Sequence, residues 1–276
     1  MFSPAHWHYN KIICGSPGSK YDFEYISKFN FECWNKKIKN QNFISIDIDK
    51  YIEQLCEKHI EYQEIGIVNL DNLTDIVDEL NKILKNNDEF FLRLSYRSAK
   101  DIAEGRMPVS DTKQTLLAII KSERCFDDMI AHRYHQLNDM KLLPLCINLV
   151  PWRKCYQERE LRCFIFEKKL VAITNQFCYG DEKWIFNGRE LEIVYKINKF
   201  VNDLWLTYPD LYDAAVIDLE LHDDLNPILI EFNPYYSKGS TSAILFSWNE
   251  DLLYGNSDLI ILRYCRDKSK DIVIVV

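Results

Sequence analysis

The chain has 276 residues, 47% of them apolar, with a formal charge of −8 and a pI near 5.4. That length fits one large domain or two packed lobes, and that apolar content builds a real core, which excludes intrinsic disorder for most of the chain. The acidic balance excludes a general attraction to nucleic acid, because a polyanion would need a local basic patch and none stands out. Nine cysteines without a CxxC pair read as reduced thiols in a cytoplasmic protein, not as a disulfide framework. MFSPAHWHYNK at the start lacks a basic segment followed by an apolar run, and no stretch reaches the length of a membrane span.

In chain order, His6 and His8 flank Trp7 but have no third metal ligand nearby, so they carry no metal assignment. GSPGSK at Gly15–Lys20 falls short of a phosphate-binding P-loop, and no GxGxxG fingerprint occurs. Leu73, Ile76, Val77, Leu80, Ile83 and Leu84 follow helical spacing and predict an amphipathic helix over Leu73–Leu84, capped by Asp71 or Asn72. Phe90–Ser95 reads as a strand, followed by the polar segment Tyr96–Lys100. Ser110 is placed to cap a helix running through Ile120, and a second helix is expected over Glu123–His132. Leu142–Val150 is an apolar run interrupted by Pro144 that suits a buried strand or an interlobe connection.

Leu161–Phe166 and Leu170–Thr174, joined by Glu167–Lys169, predict a hairpin. The stretch 175–190, with Tyr179, Trp184 and Gly188, suits a loop covering a substrate, and Glu192–Tyr208 reads as a helix. Two further strands are expected over Ala214–Leu221 and Pro227–Pro234. A symmetric connection puts Leu221 opposite Ile228 and Asp218 opposite Glu231, with Asn233 on the same face as Glu231. Like charges facing across a ladder repel, and a hard divalent cation such as Mg²⁺ would relieve that repulsion. A solvated sheet face ending in an Asn-Pro turn explains the spacing equally well. Antiparallel pairs joined by helices favour an α+β fold over a doubly wound sheet.

Charged residues elsewhere allow a complementary reading. Glu160 and Arg162 share one strand face, where Arg162 presents several donors to a phosphate and Glu160 orients it; a surface ion pair is the plain alternative. Arg93, Ser95, Arg97 and Lys100 cluster at another strand exit, with Arg93 and Ser95 on one face. Cationic donors facing a two-carboxylate metal site would hold a triphosphate.

Taken together, FFLRLSYRSAKD at Phe90–Asp101, ERELRCFIFEKKLVAITN at Glu158–Asn175, AAVIDLEL at Ala214–Leu221 and ILIEFNPYYSKGSTSAILFSW at Ile228–Trp248 resemble the cell division cycle protein 123 family. That family is a divergent ATP-grasp family linked to assembly of translation initiation factor two. The resemblance implies an α+β, divergent ATP-grasp-like fold with two lobes enclosing a nucleotide cleft. It implies a division into residues 1–89, a scaffold segment, and 90–276, the nucleotide-binding core. ATP would contact Arg93, Ser95, Arg97, Lys100, Glu160 and Arg162, and Mg²⁺ would be held by Asp218, Glu231 and Asn233. Arg93 stands where the family carries a lysine, and the two differ in geometry and hydration.

The function this implies is an ATP- and Mg²⁺-binding protein-assembly factor whose partner is a gamma-like subunit of initiation factor two. An ATP-grasp ligase working through an acyl phosphate and a nucleotide-free protein-binding module are the alternatives. Tyr235, Tyr236, Lys238, Gly239 and Ser240–Ser242 fit either an acceptor pocket or a turn leading into core.

Overall fold

The computed structural model describes residues 20–39, 42–85, 88–154, 159–175, 188–235, 246, 253, 259–267 and 270–275. His6, His8, Gly15–Ser19, Tyr179, Trp184, Tyr236, Lys238, Gly239 and Ser240–Ser242 lie outside them. The chain divides into two compact units, Met1–Arg153 and Lys154–Val276.

The first unit opens with helices α1 (Lys20–Ser27) and α2 (Phe31–Ile38). Strand β1 (Ile44–Asp47) leads to helices α3 (Ile52–Ile65) and α4 (Thr74–Ile83), then strand β2 (Phe90–Leu94). Helices α5 (Thr112–Lys121) and α6 (Glu123–Leu137) precede strand β3 (Cys146–Pro151), which forms the centre of an antiparallel sheet ordered β1-β3-β2. The expected boundary at residues 89 and 90 falls between two strands of this one sheet. Ile46, Leu92, Leu94, Ile147 and Leu149 from the sheet share a core with Leu55, Ile76, Leu80, Leu116, Ile119 and Phe126 from the helices. Pro144 precedes β3, so the apolar run after it forms an unbroken ladder.

Helix α4 buries Ile76 and Leu80, with Leu73 just ahead of it, as the spacing requires. Its cap differs from expectation: Leu73 holds the cap position without a side-chain bond, Asn72 is left-handed at φ 70°, and Asp71 donates its N–H to Asn69 Oδ1. The turn before the helix absorbs the polar side chains that were expected to cap it. On α5 the cap is Asp111, not Ser110: Gln114 N–H donates to Asp111 Oδ1 at 2.7 Å, and Ser110 N–H donates back to Gln114 Oε1. That near-reciprocal pair works as a capping box does. Ser122 caps α6 by accepting from Cys125 N–H, and α6 continues to Leu137, five residues beyond the expected end.

The second unit is a six-stranded sheet ordered β7-β6-β4-β5-β8-β9. Its strands are β4 (Glu160–Phe166), β5 (Lys169–Asn175), β6 (Ala215–Leu221), β7 (Pro227–Pro234), β8 (Ile261–Asp267) and β9 (Lys270–Val275). Neighbours run antiparallel except β5 and β8, which are parallel. The turn from β4 to β5 places Glu167 and Lys168 at positive φ, which matches the strands' own twist, and Lys168 N–H donates to Asp213 O. Helix α7 (Glu190–Thr207) covers one face through Ile193, Val194, Ile197, Val201 and Trp205. The α+β class expected from the sequence is the class observed.

The hairpin of β6 and β7 differs from the symmetric one in a single respect. Leu221 stands opposite Pro227, one residue tighter than expected, and a bulge between Asp218 and Leu219 takes up the offset. Beyond the bulge the register is the expected one, and Asp218 stands opposite Glu231.

Candidate functional site

Strand alternation and register bring four of the expected site residues together in the second unit. Asp218 has Glu231 opposite it on β7 and Arg162 opposite it on β4. Arg162 donates from Nε to Asp218 Oδ1 and from Nη2 to Oδ2, both at 2.8 Å, a bidentate fork that fits a planar carboxylate. The pair is buried, with side-chain exposures of 9% and 3%, so each charge depends on the other. Asn233 Nδ2 donates to Asp218 Oδ2 at 3.1 Å and reaches Glu231 Oε1 at 3.5 Å, while Glu231 and Asn233 are half-buried.

The electrostatics follow from these positions. Burial, joined by the Glu231 carboxylate, pushes the Asp218 carboxyl above its ordinary value against the opposing pull of Arg162. Burial works against the Arg162 charge as well, yet Asp218, with Glu231 and Glu160 adding to it, holds the guanidinium above its usual range. Burial drives the thiol of Cys163 well above normal, so this neighbouring cysteine is an inert apolar residue. Two carboxylates and one guanidinium leave this group of side chains net negative. An amide bridges the acids, and its carbonyl oxygen would face them after a half-turn about its last bond. That donor set suits Mg²⁺, which takes oxygen ligands from carboxylates and amides. Among the described residues, no cluster of three or more His, Cys, Asp or Glu side chains is placed to hold a metal.

Glu160 lies in the next row of the same face, opposite Glu220, and both are buried. The four expected residues of the first unit are placed differently. Arg93 is buried opposite Asn148, its guanidinium 4.8 Å over the Phe31 ring. Ser95 Oγ donates to Glu32 Oε1 at 2.5 Å and accepts from Cys146 N–H. Arg97 pairs with the buried Asp128 at 2.7 Å and donates to Arg124 O. Burial pushes Asp128 up and Arg97 opposes it. Lys100 Nζ lies 5.6 Å from the Phe91 ring.

Sequence reasoning missed Glu32, which joins Ser95 and Asn148 by accepting from both at one oxygen. Its signal was present: a lone acid among Phe31, Cys33 and Trp34 has to find donors when the aromatic residues are buried. The cysteines among the described residues include Cys33, Cys56, Cys125, Cys146 and Cys163, all free thiols. No helix among the described residues is long and apolar enough to cross a membrane.

The sequence and the fold correspond to one known group of proteins. The D123 family profile matches residues 27–272, and the chain belongs to that family. Two curated relatives carry the name translation initiation factor eIF2 assembly protein. That of Schizosaccharomyces pombe is 30% identical over 154 residues, covering 50% of this chain and 44% of the relative. That of Dictyostelium discoideum is 24% identical over 188 residues, covering 65% of this chain and 48% of the relative. The chain thus spans about half the length of the curated relatives it matches. The solved structure of Cdc123 from Schizosaccharomyces pombe superposes with a TM-score of 0.62 at 21% identity, covering 82% of this chain and 90% of that one. The α+β fold expected from the sequence is shared with that structure.

Proposed function

We propose that this chain is an assembly factor for translation initiation factor two that binds ATP with Mg²⁺. The observation that carries the nucleotide part is the facing of Asp218 and Glu231 with Asn233 between them, beside a buried Arg162. Asp218, Glu231 and Asn233 would hold the metal, which when bound neutralises phosphate charge. Arg162 orients Asp218 through its fork, and its guanidinium would place positive charge beside a phosphate oxygen. Glu160 sits one row away, where it can set the guanidinium. Arg93, Ser95, Arg97 and Lys100 each have structural partners in the first unit, and their nucleotide contacts belong to the same proposal.

The assembly part is supported by the names of the relatives, and the partner proposed from it is a gamma-like subunit of initiation factor two. In this reading nucleotide binding stabilises the partner-competent form, so ATP·Mg²⁺ raises partner affinity by the amount that partner raises ATP affinity. The test is calorimetry of ATP binding with and without Mg²⁺, followed by incubation with the gamma subunit and ATP. A stable complex without a covalent mass change is the expected result. An ATP-dependent mass increase on either protein would replace assembly with ligation, and no binding of ATP in the presence of Mg²⁺ would remove the nucleotide from the proposal.

A further inference from the structure

Helix α7 covers its sheet with one face and leaves the opposite face to solvent. Its buried residues, from Ile193 to Trp205, lie to one side of the 18-residue helix. At about 100° per residue, Leu191, Tyr195 and Leu206 fall within about 60° of one another on the other side. They are 65%, 68% and 80% exposed. Single exposed apolar side chains are ordinary, but three along one line of one helix form the pattern by which a helix docks.

The charges beside that line are of two kinds. Arg189 donates to Glu192 at 3.0 Å, and Lys196 donates to Asp224 O, so these are engaged within the fold. Lys199 and Asp203 are exposed, and neither side chain has a hydrogen bond or ion pair among the described residues. They stand four residues apart with the cation first, the order in which a helical ion pair is weaker. Both lie on the same flank of the apolar line, at about 40° from each other.

We propose that the outer face of α7 is an association surface for a second copy of this chain, the two helices packing antiparallel about a two-fold axis between Phe200 and Val201. The face is complementary to itself in that arrangement. Phe200 and Val201 lie midway between Tyr195 and Leu206, so each Tyr195 meets the second copy's Leu206, and the contact occurs twice. Lys199 lies just before the midpoint and Asp203 just after it, which brings each Lys199 to within about 1.5 Å of level with the second copy's Asp203. A two-fold axis across antiparallel helices sets each flank against the same flank of its neighbour, so the two charge pairs close together. A parallel pairing would set opposite flanks together and leave Lys199 without Asp203. The association is independent of nucleotide, because α7 contributes no residue to the Asp218 group.

The test is sedimentation equilibrium of the full chain without ATP, with thermal melts alongside. A helix about 27 Å long makes a small interface, so the concentrations should run from about 5 to 500 µM. The wild type should shift from monomer to dimer within that range. Lys199→Glu and Asp203→Lys each place two like-charged pairs in the dimer, and each alone should dissociate about tenfold more readily. An equimolar mixture of the two restores both opposite-charge pairs in a mixed dimer, and should associate as the wild type does. Leu206→Glu puts a carboxylate into both apolar contacts and should leave a monomer. All three positions are exposed, so the melts should match the wild type; should a charge variant melt early, Leu206→Glu decides. A wild type that stays monomeric throughout overturns the proposal and leaves the face to solvent or to a different protein. A dimer that survives Leu206→Glu, or a mixture no tighter than its components, overturns it as well.

Discussion

Each unit buries a carboxylate beside an arginine and an asparagine, and the two are solved in opposite ways. In the first unit Glu32 accepts from Ser95 Oγ and Asn148 Nδ2, neutral donors that satisfy one oxygen, while Arg93 stacks on Phe31. In the second unit Asp218 takes the full fork of Arg162 and also faces another acid, Glu231. A single carboxylate met by neutral donors is complete as structure. A carboxylate pair with one guanidinium keeps a residual negative charge at a half-buried position, and that residue of charge is what a divalent cation would answer. The difference separates a polar network that holds a fold from the one to which the metal site is assigned under the proposed function.

Removing the charge at each centre tests the contrast directly. Asp218→Asn leaves Arg162 buried without its counter-ion and should cost about 3–5 kcal/mol in urea unfolding, the range for a broken buried pair. Glu231→Gln comes next: it should cut the Mg²⁺ dependence of ATP affinity by about tenfold or more, with the unfolding midpoint nearly unchanged because Glu231 is half-buried. Glu32→Gln keeps an acceptor for both neutral donors and should cost only about 1–2 kcal/mol, without any change in ATP affinity. Equal costs for Asp218→Asn and Glu32→Gln would erase the distinction between the two networks.

The smallest effect is one of pH in the first unit. His132 is fully buried, with Tyr96 Oη at 2.9 Å from Nδ1 and Asp49 Oδ1 at 3.1 Å from Nε2. Burial holds its pKa below the ordinary value, although Asp49 and Asp47 pull the other way and Arg133 adds to the depression. The folded ring is therefore neutral where the unfolded one takes up a proton. The stabilising contribution is present above about pH 6.5 and is lost as the pH falls below it. Unfolding between pH 7.5 and 5.5 should show a loss of under about 1 kcal/mol that His132→Gln abolishes. A stability that rises on acidification would contradict the neutral ring.

Legibility in the sequence followed the distance over which residues had to cooperate. Helix α4 was visible because Leu73, Ile76 and Leu80 repeat at a period set by backbone geometry alone. Its cap was not, because Asn69 competes for the same turn and wins through its bond to Asp71 N–H. The facing of Asp218 and Glu231 was readable because one short connection and strand alternation determine it, even though a bulge was needed to bring it about. The sequence also made Glu160 and Arg162 neighbours on one face, while saying nothing of which strand they would meet.

By itself, then, the sequence determined the faces of its helices, the hairpins and the meeting of two acids with an amide, because all of these rest on local periodicity. Only the tertiary structure decided that Arg162 clamps Asp218 and that Glu32 ties Ser95 to Asn148. Those partners come from strands and helices far apart in the chain. Their register is chosen by sheet order and core packing, which overcome the entropy of closing long loops in a way no local pattern reports.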